Sequence, residues 1–264
     1  MLHRNYKETS RGLILKMIKL NPLNGQKAFD QYLHGIGFEN DLLASNLSSA
    51  NACLACTEKV HISPDLDLFD KYLDELQCSA KKNPRLQSMF EGVTLKVILP
   101  QIIEEDPGLY FKETVLESGQ RLKEKGKVDF EIKYGFDVPI VYRLTPTPKS
   151  GHQELLEKLL HKILPGWFIP STIECNLVDL IGLIAQMPSN VSLLGFNDGW
   201  PVVLQNMKLF RILCADRAFW FTGINSETSG VGFCIEADSV GNLVLYRRPY
   251  AAIKDNDVHG LLIT

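Results

Sequence analysis

Cys53 and Cys56 stand three residues apart, a spacing that puts two thiols on one helix face, where they can exchange a disulfide or grip a metal ion. With His61 and Cys78 they would complete a tetrahedral set of zinc ligands. Only one such pair exists, and 21 residues separate Cys56 from Cys78, so no second knuckle supports the metal. A thioredoxin-like redox pair follows a strand, whereas Ser48 to Val60 reads as flanked by helices. Plain packing is the third reading, because free cysteine behaves as a small buried hydrophobe. Metal ligation by Cys53, Cys56, His61 and Cys78 is therefore the alternative; the leading expectation is no metal and no cofactor.

For nucleophilic catalysis, Cys214 and Cys234 lie at the ends of expected strands and are the cysteines that a distant base could serve. No GxSxG elbow occurs, so no serine nucleophile is marked and the catalytic residues stay unknown. His152 and His161, nine apart on one helix, point to opposite sides at 100 degrees per residue. His3 and His259 lie near the termini, which leaves His34 and His61 as candidate bases. The acids Asp65, Asp67, Asp70, Asp74 and Glu75 precede Lys81 and Lys82 along one expected helix. That is the order the helix dipole favours, and it describes a solvated face rather than paired catalytic carboxylates. Gly35-Ile-Gly37 and Gly230-Val-Gly232 do not complete a phosphate-cradling loop.

Two segments point to partners. Arg11 to Leu20 sets Leu13, Ile14, Met17, Ile18 and Leu20 against Arg11, Lys16 and Lys19, a basic amphipathic helix that suits a first core helix or a docking helix. Leu261, Leu262 and Ile263 form an apolar tail that must fold back as a strand or enter another chain. Trp200, in the turn signature Asp198-Gly-Trp-Pro201, is either core or the wall of a binding surface. Leu261, Leu262, Ile263 and Trp200 are the candidate partner-binding residues. Arg211, Arg217, Arg247 and Arg248 flank aromatic strands and could form a basic patch.

The elements that must position these residues change character near residue 127. From Ser10 to Gly126 the signals are helical, the clearest being Ser63-Pro64-Asp65, an N-cap with proline and an acid in the first turn. The helix it opens runs to about Lys82, with Leu66, Phe69, Leu73 and Leu76 on one stripe. Asn83-Pro84 opens another, and Val93 to Pro100 fits a helix or a buried strand. After Gly126, Val128 to Tyr134 and Val138 to Leu144 predict a hairpin, and Thr145 to Gly151 is the most linker-like stretch. Helices are expected over His152 to Leu164 and Ile173 to Met187. Strands are expected over Leu209 to Cys214, Ala218 to Ile224, Val231 to Ala237 and Leu243 to Arg248, with Asp238 to Asn242 as a tight turn. Phe219, Phe221, Val231, Phe233 and Ile235 give one strongly apolar sheet face, for which the Ile173 to Met187 helix is the natural cover. The glycine-bounded alternation of Gly230 to Tyr246 is similar to the end of a SUKH-type binding domain and equally to hairpins in general, so it assigns no family.

These readings predict an α+β fold: a helical part over residues 1–126, then a part over 127–264 built on an antiparallel β-meander covered by one or two helices, the two sharing one core or standing apart. At 264 residues the chain can bury a sizeable core, and 45% apolar with 22% charged residues suits a globular protein. A net charge of -3 argues against a field that would attract nucleic acid. The longest apolar run, Leu177 to Met187, is interrupted by Asp179 and falls short of the roughly 20 residues a spanning helix needs. Met1 to Tyr6 lacks the apolar region of an export signal, and six cysteines do not make a disulfide scaffold, so a cytoplasmic location is expected. The leading functional expectation is a non-enzymatic interaction or scaffold subunit with a protein partner. The alternatives are a small-molecule or peptide-modifying enzyme with a Cys or His at its centre, and a structural zinc protein.

Overall fold

The computed structural model describes residues 20–22, 66–99, 132–134, 144–173, 177–226 and 230–264. It is an α+β structure in which helices flank a mixed, mostly antiparallel sheet. The strands are β1 (Leu20–Pro22), β2 (Leu95–Leu99), β3 (Ile132–Tyr134), β4 (Leu144–Pro146), β5 (Leu164–Ile173), β6 (Val191–Leu193), β7 (Phe219–Phe221), β8 (Ile224–Ser226), β9 (Val231–Ala237), β10 (Leu243–Pro249) and β11 (Val258–Ile263). The helices are α1 (Leu66–Ala80), α2 (Pro84–Gln87), α3 (His152–Leu159), α4 (Leu177–Ile184), α5 (Phe196–Gln205) and α6 (Met207–Leu213). The main sheet runs β1-β5-β11-β7-β9-β10-β3, with β2 also on β5 and β6 also on β11; β4 and β8 form a separate ribbon.

The centre of the sheet is the pair β5 and β11, joined antiparallel from Val258 opposite Thr172 to Ile263 opposite Trp167. β5 is the element that propensity hides. Leu164-Pro-Gly-Trp-Phe-Ile-Pro170 carries two prolines and a glycine, all weak strand formers, so the sequence suggests a helix that ends at Leu164 and another that begins at Ile173. Tertiary packing reverses this. A side chain on Gly166 would come within 3.0 Å of the Ile263 carbonyl, so this residue lets two central strands approach closely. The helices on either side are correspondingly shorter, ending at Leu159 and starting at Leu177.

Alternation along the central strands builds two apolar layers. On one face Phe168, Leu262 and Val258 join Phe219, Phe221, Phe233 and Ile235 beneath Leu155 and Leu159 of α3, Trp200 and Val203 of α5, and Leu209 and Phe210 of α6. On the other, Trp167, Ile169, Leu261 and Ile263 pack with Leu73 of α1, Leu86 of α2, and Leu180, Leu183 and Ile184 of α4. The phenylalanine-rich face is therefore covered by α3, α5 and α6, and the Leu177–Ile184 helix covers the opposite face, contrary to the expectation from sequence. The segment expected to be a strand, Leu209 to Cys214, is mostly helix because its buried residues, Leu209, Phe210, Leu213 and Cys214, recur at i and i+4. Asp198 to Pro201 likewise lies in the first turns of α5 rather than in a free turn.

Several expectations hold. The Ser63 helix is α1 over its described length, and the side chain of Asn83 caps α2 by accepting from the Arg85 amide at 3.0 Å; Val93 to Pro100, which fitted either a helix or a strand, contains strand β2. The turn from Asp238 to Asn242 joins β9 to β10. Of the expected hairpin only Ile132–Tyr134 and Leu144 are described: β3 runs parallel to β10, and Leu144 opens β4, which continues into the linker-like stretch as far as Pro146 and pairs with β8. The linker-like stretch is built into the fold: Thr147 and Ser150 are buried, and their backbone groups bond Gly223 and Leu193. Most of the expected N-terminal helical part lies outside the described residues, including the helix over Pro107 to Lys125 and all of Arg11 to Leu20 but Leu20, which opens strand β1 instead of closing a helix; with β2, two strands stand in the part expected to be helical, because their residues pair with β5.

Candidate functional site

Two buried histidine and aspartate pairs concentrate the polar chemistry of the described core. The first joins the starts of α3 and α5. Gly151 turns the chain into α3 in the left-handed region, φ 72°, where a side chain would also meet the Val191 carbonyl. His152 follows as the first residue of the helix. Across from it, Gly195 starts α5, and Asp198 Oδ1 reaches back to accept from the Gly195 amide at 3.1 Å, the carboxylate half of a capping box. The imidazole of His152 fills the space that a side chain on Gly195 would occupy, and this brings His152 Nδ1 to 3.4 Å from Asp198 Oδ1. Neither side chain is exposed. Burial pushes His152 below the usual imidazole range and Asp198 above the usual carboxylate range, and the attraction between the two opposes both movements. This contact fastens two helix N-termini to the end of β6; its enclosure separates it from any solvent-borne substrate.

The second pair lies on the other face of the sheet. Asp257, at the entry to β11, accepts three hydrogen bonds: Oδ1 from the Ala218 amide at 3.0 Å, and Oδ2 from Trp220 Nε1 at 2.8 Å and the Lys254 amide at 2.9 Å. Two residues on, His259 sits in a row across five strands, with Ser171 on β5 to one side and Trp220, Cys234 and Tyr246 on β7, β9 and β10 to the other. His259 Nδ1 and Ser171 Oγ are buried without a hydrogen-bond partner. Burial lowers His259 to about 4, against a smaller pull upward from Asp257. Sequence reasoning passed over both pairs, treating His259 as terminal and His152 as unpaired with His161. The available signal was the Gly195-x-x-Asp198 cap spacing; nothing in the sequence marks Asp257 as the partner of an indole 37 residues away.

Among the residues marked from sequence, Leu261, Leu262 and Ile263 are interior side chains of the central strand β11, and Trp200 is enclosed against Phe196, their ring centroids 5.6 Å apart. The tail folds back within its own chain. Cys78 is exposed on α1, while Cys53, Cys56, His61 and His34 lie outside the described residues; among the described residues no group of three His, Cys, Asp or Glu side chains could hold a metal ion. Three of the four arginines are occupied locally: Arg217 binds Asp216, Arg248 binds Glu236 and covers the Tyr246 ring, and Arg211 bonds the Val240 carbonyl.

Cys214 and Cys234 are buried, and desolvation is the main cause that raises both thiols, Cys234 to about 12 and Cys214 further. A thiol held protonated is a poor nucleophile. Under native conditions at neutral pH, peptide mapping after brief iodoacetamide treatment should find Cys78 modified and Cys214 and Cys234 unmodified, all three reacting alike in denaturant. Rapid native labelling of either buried cysteine would reverse the assignment.

Together these features define an α+β protein with a two-sided helical cover and enclosed polar pairs. Compared with protein-family models, curated proteins and solved structures, the chain matches none. Among the described residues no helix is long and apolar enough to cross a membrane.

Proposed function

We propose that the chain is a non-enzymatic, cytoplasmic interaction subunit of a larger assembly, with α1 as its docking helix. The observation that carries this reading is the outward surface of α1. Leu68 is 60% exposed and Tyr72, one turn along, 41% exposed, on a helix whose carboxylates not engaged by Lys96, Asp67 and Glu75, stand against the single helix cation Lys71. The opposite side is fixed: Leu73 is fully buried, its carbonyl accepts from Trp167 Nε1 at 2.9 Å, and Lys96 draws Asp70 and Asp74 toward β2. A rigid helix with a paired apolar anchor among acids complements a basic, partly apolar partner surface. The buried, protonated state of Cys214 and Cys234 supports this reading over the thiol-enzyme alternative.

The test compares affinity capture of the natively expressed chain with that of the double variant Leu68→Ser, Tyr72→Ser, with stoichiometry by mass spectrometry. A stoichiometric partner, released by moderate salt and lost in the double variant while its circular dichroism is unchanged, is the expected result. An unaltered partner list, or a lone chain from both, would remove α1 as the docking element.

A further inference from the structure

We propose that His259 is an acid trigger set in the central strand, so that a proton taken up there loosens β11 from its neighbours. The geometry requires it in three ways. The imidazole is enclosed in the sheet, 2% exposed, between Ser171 on β5 and Trp220 on β7. Its Nδ1 is buried without a hydrogen-bond partner, so at that nitrogen no bond is already formed that would stabilise a charged ring. The carboxylate nearest in the chain, Asp257, is held by the Ala218 and Lys254 amides and the Trp220 indole, and turning toward His259 would strand one of those donors. Among the described residues the groups facing His259 are Asp257 from the chain before β11, uncharged Ser171 from β5 and Trp220 from β7, with Cys234 one strand further.

His152 differs. Asp198 Oδ1 lies 3.4 Å from its Nδ1, so a carboxylate faces that ring although neither of its nitrogens is hydrogen-bonded. His259 is depressed from an ordinary 6.5 to about 4, so the unfolded chain binds the extra proton first as pH falls. The stability contributed is complete above about 6.5 and is lost as pH drops toward 4. From pH 7 to pH 5 the folded-to-unfolded ratio should fall roughly 20-fold from this one site.

Denaturant unfolding of wild type and His259→Asn at pH 7 and pH 5 tests the idea. The expected result is that the variant lacks about 20-fold of the acid-induced loss seen in wild type. A loss of equal size in both proteins would overturn it. If the variant does not fold, NMR titration of the wild-type histidines decides: His259 remaining neutral at pH 5 supports the trigger, and protonation between pH 6 and 7 in the folded protein overturns it.

Discussion

A chain cut after Asn256 is expected not to fold: its circular dichroism should resemble that of an unfolded chain, with no cooperative thermal transition. The cut removes only eight residues, but they are β11. Val258, Leu261, Leu262 and Ile263 are each 0% exposed, and burying a side chain of this kind contributes about 1.5–3 kcal/mol. Four of them together approach the whole net stability of an ordinary domain, about 5–15 kcal/mol. The strand is also paired on both edges, with β5 on one side and β6 and β7 on the other, so its loss exposes ladder groups on three remaining strands. A soluble, cooperatively melting product would contradict the central placement of this strand. The consequence for partner mapping is direct: deleting the tail removes the fold and cannot locate an interface. Leu68 and Tyr72, exposed on α1, are positions at which the proposed interface can be changed while the core stays intact.

How far this architecture was legible in the sequence depends on where its specification is local. Asn83-Pro84 and Asp238 to Asn242 state their own capping and turn chemistry, and α1 and β9 carry clean periods of 3.6 and 2, so these were readable. β5 was not, because what makes it a strand is the backbone of β11 beside Gly166, about a hundred residues later in the chain. The covering helices were exchanged for the same reason. A helix apolar nearly all round announces burial but not which face it buries, and α5 and α6 hid their stripe behind Gly199, Pro201 and a short apolar run. The candidate site shows the same divide. Residue types flagged Cys53, Cys56, His61, Cys78 and the tail, whereas the enclosed pairs His152 with Asp198 and His259 with Asp257 arise from strand register and from a glycine that admits an imidazole.

The second large effect is expected at Asp257. Its carboxylate joins β7 to the turn before β11, accepting from the Ala218 amide at the start of β7, the Trp220 indole within it and the Lys254 amide in the turn. Asp257→Ala leaves these donors without their acceptor. The Ala218 amide and the Trp220 indole are buried, and an unsatisfied buried donor costs about 1–3 kcal/mol. A loss of about 3–5 kcal/mol in the free energy of unfolding is expected, measured by urea denaturation at pH 7 with an unchanged slope. Asp257→Asn separates charge from geometry. Its single carbonyl oxygen can serve one side of the junction, while its amide turns a donor toward the donors on the other side, so it should recover only part of the loss. Trp220 gives an independent readout, because its indole N–H would be exchanging slowly in wild type and quickly in both variants. If Asp257→Ala cost less than about 1 kcal/mol, the three bonds could not be what fixes β11 against β7. The strand would then be held by its backbone ladders and its apolar residues. That outcome would also weaken the acid trigger, whose action depends on Asp257 being too firmly held to receive a proton's charge from His259.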